Sequence, residues 1–310
     1  MPAYLGIDTS NYTTSAALYD SDSRAVRMEK MLLPVKEGAL GLKQSEAVFH
    51  HVRQLPGLMQ SLFSDRQPAV AAIGVSAAPR RQEGSYMPCF LVGESTAASV
   101  SAALSVPLYT FSHQEGHVMA ALYSADRMDL LEREFYAFHV SGGTTECLLV
   151  RYQNHRFDIR ILASSLDLKA GQAIDRAGVM LGLPFPAGKE LDALACSCGE
   201  EIRLKPRLKG LDCSLSGLEN QCRRLLNEGR TREYIAKYCI TFVKETLAAM
   251  TEGVLREYGE KPVVYAGGVM ANSIIRQEFK ARFGGCFAEP AYSSDNSAGL
   301  AILAALADQG

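Results

Sequence analysis

Phe135-Tyr136-Ala137-Phe138-His139-Val140-Ser141-Gly142-Gly143-Thr144-Thr145 is the stretch on which the fold is read. Six strand-type residues end in a tight, small, polar turn. Residues 146–152 then return as a second strand and residues 157–163 form a third. The opening of the chain has the same outline. Tyr4-Leu5-Gly6-Ile7 is apolar, Asp8-Thr9-Ser10-Asn11 is a polar turn, and residues 13–19 return. Both returning strands carry threonine near their start, so the reading is one β-hairpin unit used twice, once per domain.

Working outward, residues 70–77 read as a strand, 93–104 as a helix of small residues, and 106–111 as another strand. Residues 262–266 are a buried-type strand ending in Gly267-Gly268, followed by a helix over about 271–283, a short strand at 286–287 and an apolar helix over 297–306. The longest helix spans 231–258, where Ile235, Cys239, Phe242, Val243, Leu247, Met250 and Val254 keep a spacing of three or four. A helix over 44–63 is expected to break near Pro56, and a long polar connection with Pro34 and Gly38 precedes it. Further helices cover 170–181 and open near Ser214-Leu215-Ser216-Gly217. Strands alternating with helices give an α/β protein with a mostly parallel sheet.

At 310 residues, 47% apolar and 21% charged, the chain has globular composition and room for two domains. A net charge of -2 gives no overall field for nucleic acid, so an RNA partner needs a local patch. The most basic stretch is Arg203-Leu204-Lys205-Pro206-Arg207-Leu208-Lys209, with Arg223, Arg224, Arg230 and Arg232 downstream. It reads as a solvated face or as a patch for RNA phosphates. No apolar run of about 18 residues and no leader pattern occur, so the expectation is a soluble cytoplasmic protein without membrane contact. The eight cysteines are scattered and expected to be reduced, with Cys147 and Cys239 in the core. Cys196-Ser197-Cys198 is a weak soft-metal candidate.

The chemistry-bearing stretch is Ser112-His113-Gln114-Glu115-Gly116-His117. On a helix, His113 and His117 lie one turn apart on one face. That is either a helix start with two solvated imidazoles or two ligands of one metal ion. Asp295 is a candidate third ligand, though its loop position also suits a helix cap. Glu115 follows His113 by two residues, about 200° around a helix, so it points away and zinc-protease chemistry is disfavoured. Three strand-end turns, 8–11, 141–145 and Gly267-Gly268, offer free N–H groups to an anion or phosphate. There is no P-loop pattern. Asn272 is a helix cap or a nucleotide contact.

With these stretches in view, the chain resembles the TsaD family over nearly its whole length. Gly6-Ile7-Asp8-Thr9-Ser10 is similar to that family's GIETS opening, and Ser112 to His117 to its NHxxAH metal motif. Val140-Ser141-Gly142-Gly143-Thr144 is similar to VSGGH, and Ala173-Ile174-Asp175-Arg176-Ala177 to GEAFDK. Phe185-Pro186-Ala187-Gly188 is similar to YPGG, and Ser214-Leu215-Ser216-Gly217-Leu218 to SFSGLK. Gly267-Gly268-Val269-Met270-Ala271-Asn272 resembles GGVAAN, and Ser294-Asp295-Asn296 resembles CTDN.

The resemblance implies an α/β, two-domain actin/Hsp70-like (ASKHA) fold with duplicated mixed sheets flanked by helices. It implies domains at 1–111 plus 296–310 and at 112–295. It implies metal-dependent transfer of a threonylcarbamoyl group from its adenylate to N6 of adenosine 37 in tRNA. His113, His117 and Asp295 would bind one divalent ion, iron or zinc. Val140, Ser141, Gly142, Gly143, Thr144, Asp175, Gly188 and Asn272 would hold the adenine nucleotide or acyl-adenylate. Asp8, Thr9, Ser10, Gly267 and Gly268 would add further contacts. Implied partners are tRNA, a TsaB-like smaller homologue and a TsaE-like ATPase. The chain departs from the family in four places: Tyr12-Thr13 replaces acidic residues, Thr144 a histidine and Glu219 a lysine, and residues 76–88 replace a GPGL loop. A nucleotide-binding paralogue without turnover and a carbamoyltransferase acting on a small molecule are the alternative readings.

Overall fold

A computed structural model describes residues 2–10, 12–34, 42–64, 68–292 and 296–310. Its contacts divide the chain into two compact units. One comprises Met1–Ser124, Gln153–Phe157 and Ala291–Gly310, the other Ala125–Tyr152 and Asp158–Pro290.

The first unit is built on strands β1 (Ala3–Ser10), β2 (Thr13–Asp20), β3 (Ala25–Leu32), β4 (Val70–Ala78) and β5 (Leu108–Ser112), with helices α1 (Gln44–Leu62), α2 (Phe90–Leu104) and α3 (His113–Ser124). Its sheet order is β3-β2-β1-β4-β5. β1 and β2, and β2 and β3, pair antiparallel, whereas β1–β4 and β4–β5 are parallel. β1 is buried along its whole length, as a central strand covered on both faces must be. β3 was expected to be part of a polar connection. Its Arg27, Glu29 and Lys30 are the charges of an edge strand that is mostly exposed. α1 runs unbroken through Pro56, which stays exposed while Leu55, Leu58 and Leu62 are buried on either side of it.

The second unit carries β6 (Phe135–Val140), β7 (Thr145–Gln153), β8 (Arg156–Ser164), β9 (Val263–Ala266) and β10 (Cys286–Phe287). Its helices are α4 (Ala170–Met180), α5 (Gly188–Cys196), α6 (Ser216–Asn227), α7 (Arg232–Tyr258) and α8 (Ser273–Phe283). The sheet order is β10-β9-β6-β7-β8, the first unit's order repeated with a central strand, an antiparallel meander on one side and two parallel strands on the other. The duplicated hairpin read from sequence is therefore the core of a duplicated mixed sheet. α7 fills the core with Ile235, Cys239, Val243, Leu247, Met250 and Val254. All eight cysteines are free thiols, with Cys147 and Cys239 fully buried. No helix among the described residues is long and apolar enough to cross a membrane.

The last helix, α9 (Ser297–Gln309), lies directly on the first sheet. A Cβ on Gly6 would stand 1.9 Å from the Ser297 carbonyl oxygen, so only glycine lets the helix backbone touch β1. α3 packs on α9 with equal closeness: a Cβ on Gly299 would meet the Gly116 carbonyl oxygen at 2.0 Å. This crossing is why the contacts assign α3 to the first unit, where the domain boundary drawn from the sequence at 111/112 gave it to the second.

Candidate metal centre and nucleotide loops

The two histidines stand at the start of α3, which Ser112 and Glu115 close upon themselves. The Ser112 N–H and hydroxyl donate to Glu115 Oε2 at 2.7 and 2.9 Å, and the Glu115 N–H donates back to Ser112 Oγ at 3.2 Å. This is a capping box, with orphan donors of the first turn satisfied reciprocally. Glu115 is 1% exposed and turned onto its own helix start.

His113 and His117 meet edge to face with ring centroids 4.6 Å apart. Phe90 adds a third ring, 6.0 Å from His113. β1 brings Asp8 beneath them. Its Oδ1 lies 3.2 Å from His113 Nδ1 and also accepts the Ser76 hydroxyl from β4. Burial alone would raise the Asp8 pKa. The His113 charge and hydrogen bonds from His113, Ser76 and Ser10 outweigh it and hold the carboxyl below its ordinary value. Asp8 is thus an anion in the protein interior. Asn296, at the start of α9, places Nδ2 2.6 Å from His113 Nδ1 and 3.4 Å from Asp8 Oδ2.

Asp295 lies outside the described residues. Among the described ones, no three His, Cys, Asp or Glu side chains group as a metal set. The residues present nonetheless fit a divalent ion. Asn296 is 1% exposed and its Oδ1 is buried without a hydrogen-bond partner among the described residues. An orphaned carbonyl oxygen beside two imidazoles is a donor set suited to zinc or iron. Of the other first-unit candidates, Thr9 is spent on the fold: its hydroxyl donates to the Cys89 carbonyl at 2.9 Å and accepts from the Gly93 N–H at 3.0 Å. Ser10 is nearly buried at the end of β1.

The second unit gathers most of the expected nucleotide residues at the carboxyl edge of its sheet, where α/β folds take ligands. The turn after β6 is folded on Ser141. Its N–H donates to the Thr144 carbonyl at 2.7 Å, and its Oγ accepts from the Gly143 and Thr144 N–H groups at 3.3 and 3.2 Å. Gly142 and Gly143 stay exposed with open space about them. The start of α4 is tied beneath, with the Gly171 N–H on the Ser141 carbonyl at 3.1 Å and the Ala170 N–H on Thr145 Oγ1 at 2.8 Å. Gly267, at φ +98°, backs onto Val140: a Cβ there would stand 2.2 Å from the Val140 carbonyl oxygen. Gly267 therefore serves the join of β6 and β9, while Gly268 faces open space.

Asp175 on α4 accepts the Ala187 N–H at Oδ1, 2.8 Å away. Burial raises its pKa, and that single N–H offsets only part of the rise. Oδ2 has no hydrogen-bond partner among the described residues. Gly188, the next residue after Ala187, opens α5 with open space where a Cβ would stand. Asn272 is a helix cap, its Oδ1 accepting the Ile275 N–H at 3.1 Å.

Sequence reading missed two carboxylates. Asp167 accepts from Leu215 N–H at 2.7 Å and Ser216 Oγ at 2.7 Å, capping α6 from another loop. Asp192 on α5 accepts the Ser273 N–H and hydroxyl, both at 2.9 Å, and so covers the start of α8. Neither had a local signal, because both caps come from distant segments. The basic stretch is interleaved with carboxylates: Arg203 pairs with Glu201 and Arg230 with Glu200. Lys205, Arg207 and Lys209 have no ion pair among the described residues.

Two mixed sheets with one repeated strand order define an actin/Hsp70-like fold. Residues 36–302 match the family model of TsaD, tRNA N6-adenosine threonylcarbamoyltransferase, and the chain belongs to that family. Solved structures share the fold at low identity. The HypF of T. kodakarensis has a TM-score of 0.63 at 14% identity, over 98% of this chain and 48% of that one. A full-length HypF in its phosphate- and nucleotide-bound form gives 0.60 at 14%, over 99% and 55%. A ROK-family glucokinase of Streptomyces griseus, with glucose and AMPPNP, gives 0.54 at 14%, over 99% and 100%. The chain thus spans about half the length of the two HypF chains.

Proposed function

We propose that this protein transfers a threonylcarbamoyl group from threonylcarbamoyl-adenylate to N6 of adenosine 37 in tRNA, with one divalent metal ion, iron or zinc. The observation that carries the reading is the first turn of α3: in a chain of the TsaD family, it sets His113 and His117 ring to ring beside a buried, unpartnered Asn296 oxygen. His113 and His117 would hold the ion, with Asp295 as the expected third ligand. When bound, it supplies Lewis-acid polarisation of the carbamoyl carbonyl. In the second unit, Gly142 and Gly143 leave room for a phosphate to approach the backbone, and Asp175 Oδ2 accepts from the ribose. The work of the protein is then to position the adenylate and the tRNA amine, because an activated acyl group needs placement more than a strong base. Lys205, Arg207 and Lys209 are the proposed RNA phosphate contacts, and a smaller homologue and an ATPase are the proposed partners.

A second reading is favoured by one observation. Glu219, where the family has lysine, is held by Arg176 at 3.1 Å and Arg223 at 3.0 Å, so a single family cation is replaced by an ion-paired cluster whose positive charge sits on two arginines tied to a carboxylate. A paralogue that binds nucleotide without transfer fits this change. The deciding experiment expresses the protein in cells depleted of their own threonylcarbamoyl transferase and measures the modified nucleoside in bulk tRNA. Its reappearance supports the transferase. A folded, metal-loaded, nucleotide-binding protein with no modified nucleoside overturns it in favour of the second reading.

A further inference from the structure

We propose that the turn between β4 and α2 reads the acceptor RNA, with Tyr86 as the platform on which an unpaired nucleobase close to the acylated adenosine stacks and Arg81 as the contact to a phosphate beside it. The inference rests on the transferase reading above and names the side chains that select its acceptor.

Residues 79–88 run Pro-Arg-Arg-Gln-Glu-Gly-Ser-Tyr-Met-Pro. The turn closes on itself. Gly84, at φ +77°, supplies the left-handed residue, the Ser85 N–H donates to the Gln82 carbonyl at 3.0 Å, and the Arg80 N–H donates to Ser85 Oγ at 3.2 Å. Both ends are fixed beside His113. The Pro79 carbonyl takes the Gln114 N–H, one residue from His113. At the other end Phe90 lies ring to ring with His113, and the Cys89 carbonyl takes the Thr9 hydroxyl. Tyr86 precedes Phe90 by four residues, at most about 14 Å of extended chain. The turn is therefore a short, anchored projection from the rim of the histidine pair.

What it projects is an aromatic ring and a cation. Tyr86 is 63% exposed, and Arg81 is exposed as well. Neither makes a hydrogen bond, ion pair or ring contact among the described residues. Gln82, Glu83 and Gly84 between them are exposed too, so the turn presents no apolar groove to a peptide. Two arginines and Glu83 leave it one net positive charge, too little to hold an RNA backbone by charge alone. Stacking needs no such charge, because every base offers a π-face to an aromatic ring. It also answers a need of the reaction. An adenosine must leave its stack before its amine can be acylated, at a cost of neighbouring base contacts. A protein ring beside the site replaces those contacts, which is how single-stranded RNA is commonly held.

The chain has no tryptophan, so Tyr86→Trp places a single indole at the proposed contact. The probe is a seven-nucleotide single strand with the sequence of a tRNA anticodon loop, titrated into the full-length variant and, separately, as a duplex with its complement. The single strand should quench the indole to saturation, and the duplex, whose bases are already stacked, should not. Tyr86→Ala should bind the single strand about 5- to 150-fold more weakly. Its slope of log affinity against log salt should stay that of wild type, because no phosphate contact is lost. Tyr86→Phe should bind as wild type does, while Tyr86→Leu, apolar but without a π-face, should behave as the alanine variant. An indole left unquenched at RNA concentrations that saturate filter binding would overturn the stacking role and leave the transferase reading standing, as would equal affinity in wild type and Tyr86→Ala. Wild type that binds neither this strand nor whole tRNA would overturn the transferase reading, and this inference with it. Should Tyr86→Ala not fold, the quenching of Tyr86→Trp decides alone.

Discussion

The peptide N–H of Gln114 donates to the carbonyl of Pro79 at 3.1 Å, tying the helix that bears the histidines to the loop after β4. That loop is the part of the first unit that departs most from the family pattern, and it is largely exposed from Arg81 to Gly84. It is anchored to the centre at one end and presented to solvent at the other, as a surface that selects an acceptor would be.

Reversing the charge at Arg81 tests this. Arg81→Glu should leave metal content unchanged, weaken tRNA binding and lower the slope of log affinity against log salt by about one. Filter binding across a salt series measures it. Unaltered affinity and slope would remove the loop from the RNA surface.

Glu115 offers a sharper division between structure and chemistry. Glu115→Ala should cost about 1–2 kcal/mol of stability, the worth of a helix cap. Glu115→Gln, which keeps an acceptor for the Ser112 N–H, should recover most of that and retain full turnover. Loss of turnover in the glutamine variant, with its melting temperature preserved, would show the carboxylate to be chemical after all.

Acid should weaken the first unit through His51. It is fully buried on α1, and its Nδ1 lies 2.8 Å from Thr14 Oγ1. Gln54 donates its Nε2–H to the Leu32 carbonyl at 3.1 Å, so its Oε1 accepts the Thr14 hydroxyl proton and Thr14 must accept from His51. Burial, the largest cause, lowers the His51 pKa to about 4 from 6.5. The unfolded chain therefore takes up a proton near pH 6.5 that the folded chain resists until about pH 4. Stability should fall by on the order of 1–3 kcal/mol as pH drops through that window. Denaturant melts at several pH values should show the slope, and His51→Gln should flatten it. An identical slope in the variant would assign it to other groups.

Asp175 separates folding from nucleotide binding. Asp175→Asn keeps an oxygen for the Ala187 N–H, so the melting temperature should hardly move. The ribose loses a charged acceptor, and affinity for a non-hydrolysable adenylate analogue should fall about tenfold. Calorimetric titration measures both proteins. Unchanged affinity would place the sugar elsewhere.

How much of this was legible in the sequence depended on range. Central strands and long helices were, because their apolar runs and 3–4 spacing are local. β3 was not, since the alternating charges of Arg27, Glu29 and Lys30 look like a connection until a neighbouring strand gives them an edge to occupy. The pair His113 and His117 was visible as a spacing, but Asp8 meets His113 across 105 positions and only sheet order brings them together. The same holds for α3, whose unit was decided by glycine-to-glycine contact between Gly116 and Gly299. Pro56 misled because a proline penalty is local, while the burial of Leu55, Leu58 and Leu62 that offsets it is tertiary.

The closeness of α9 to β1 bears on the order in which a growing chain can complete itself. The second unit draws all its strands and helices from residues 125–290, so its core is whole before α9 has left the ribosome. The first unit begins earlier but finishes last: Gly6 and the face of β1 around it stay uncovered until residues 297–309 arrive. Its early strands must wait through more than half of synthesis with an apolar face bare, a state open to aggregation and to chaperone capture. A stop codon just before Ser297 should thus be far more damaging than the loss of one short helix suggests, leaving the second unit intact and the first unable to close.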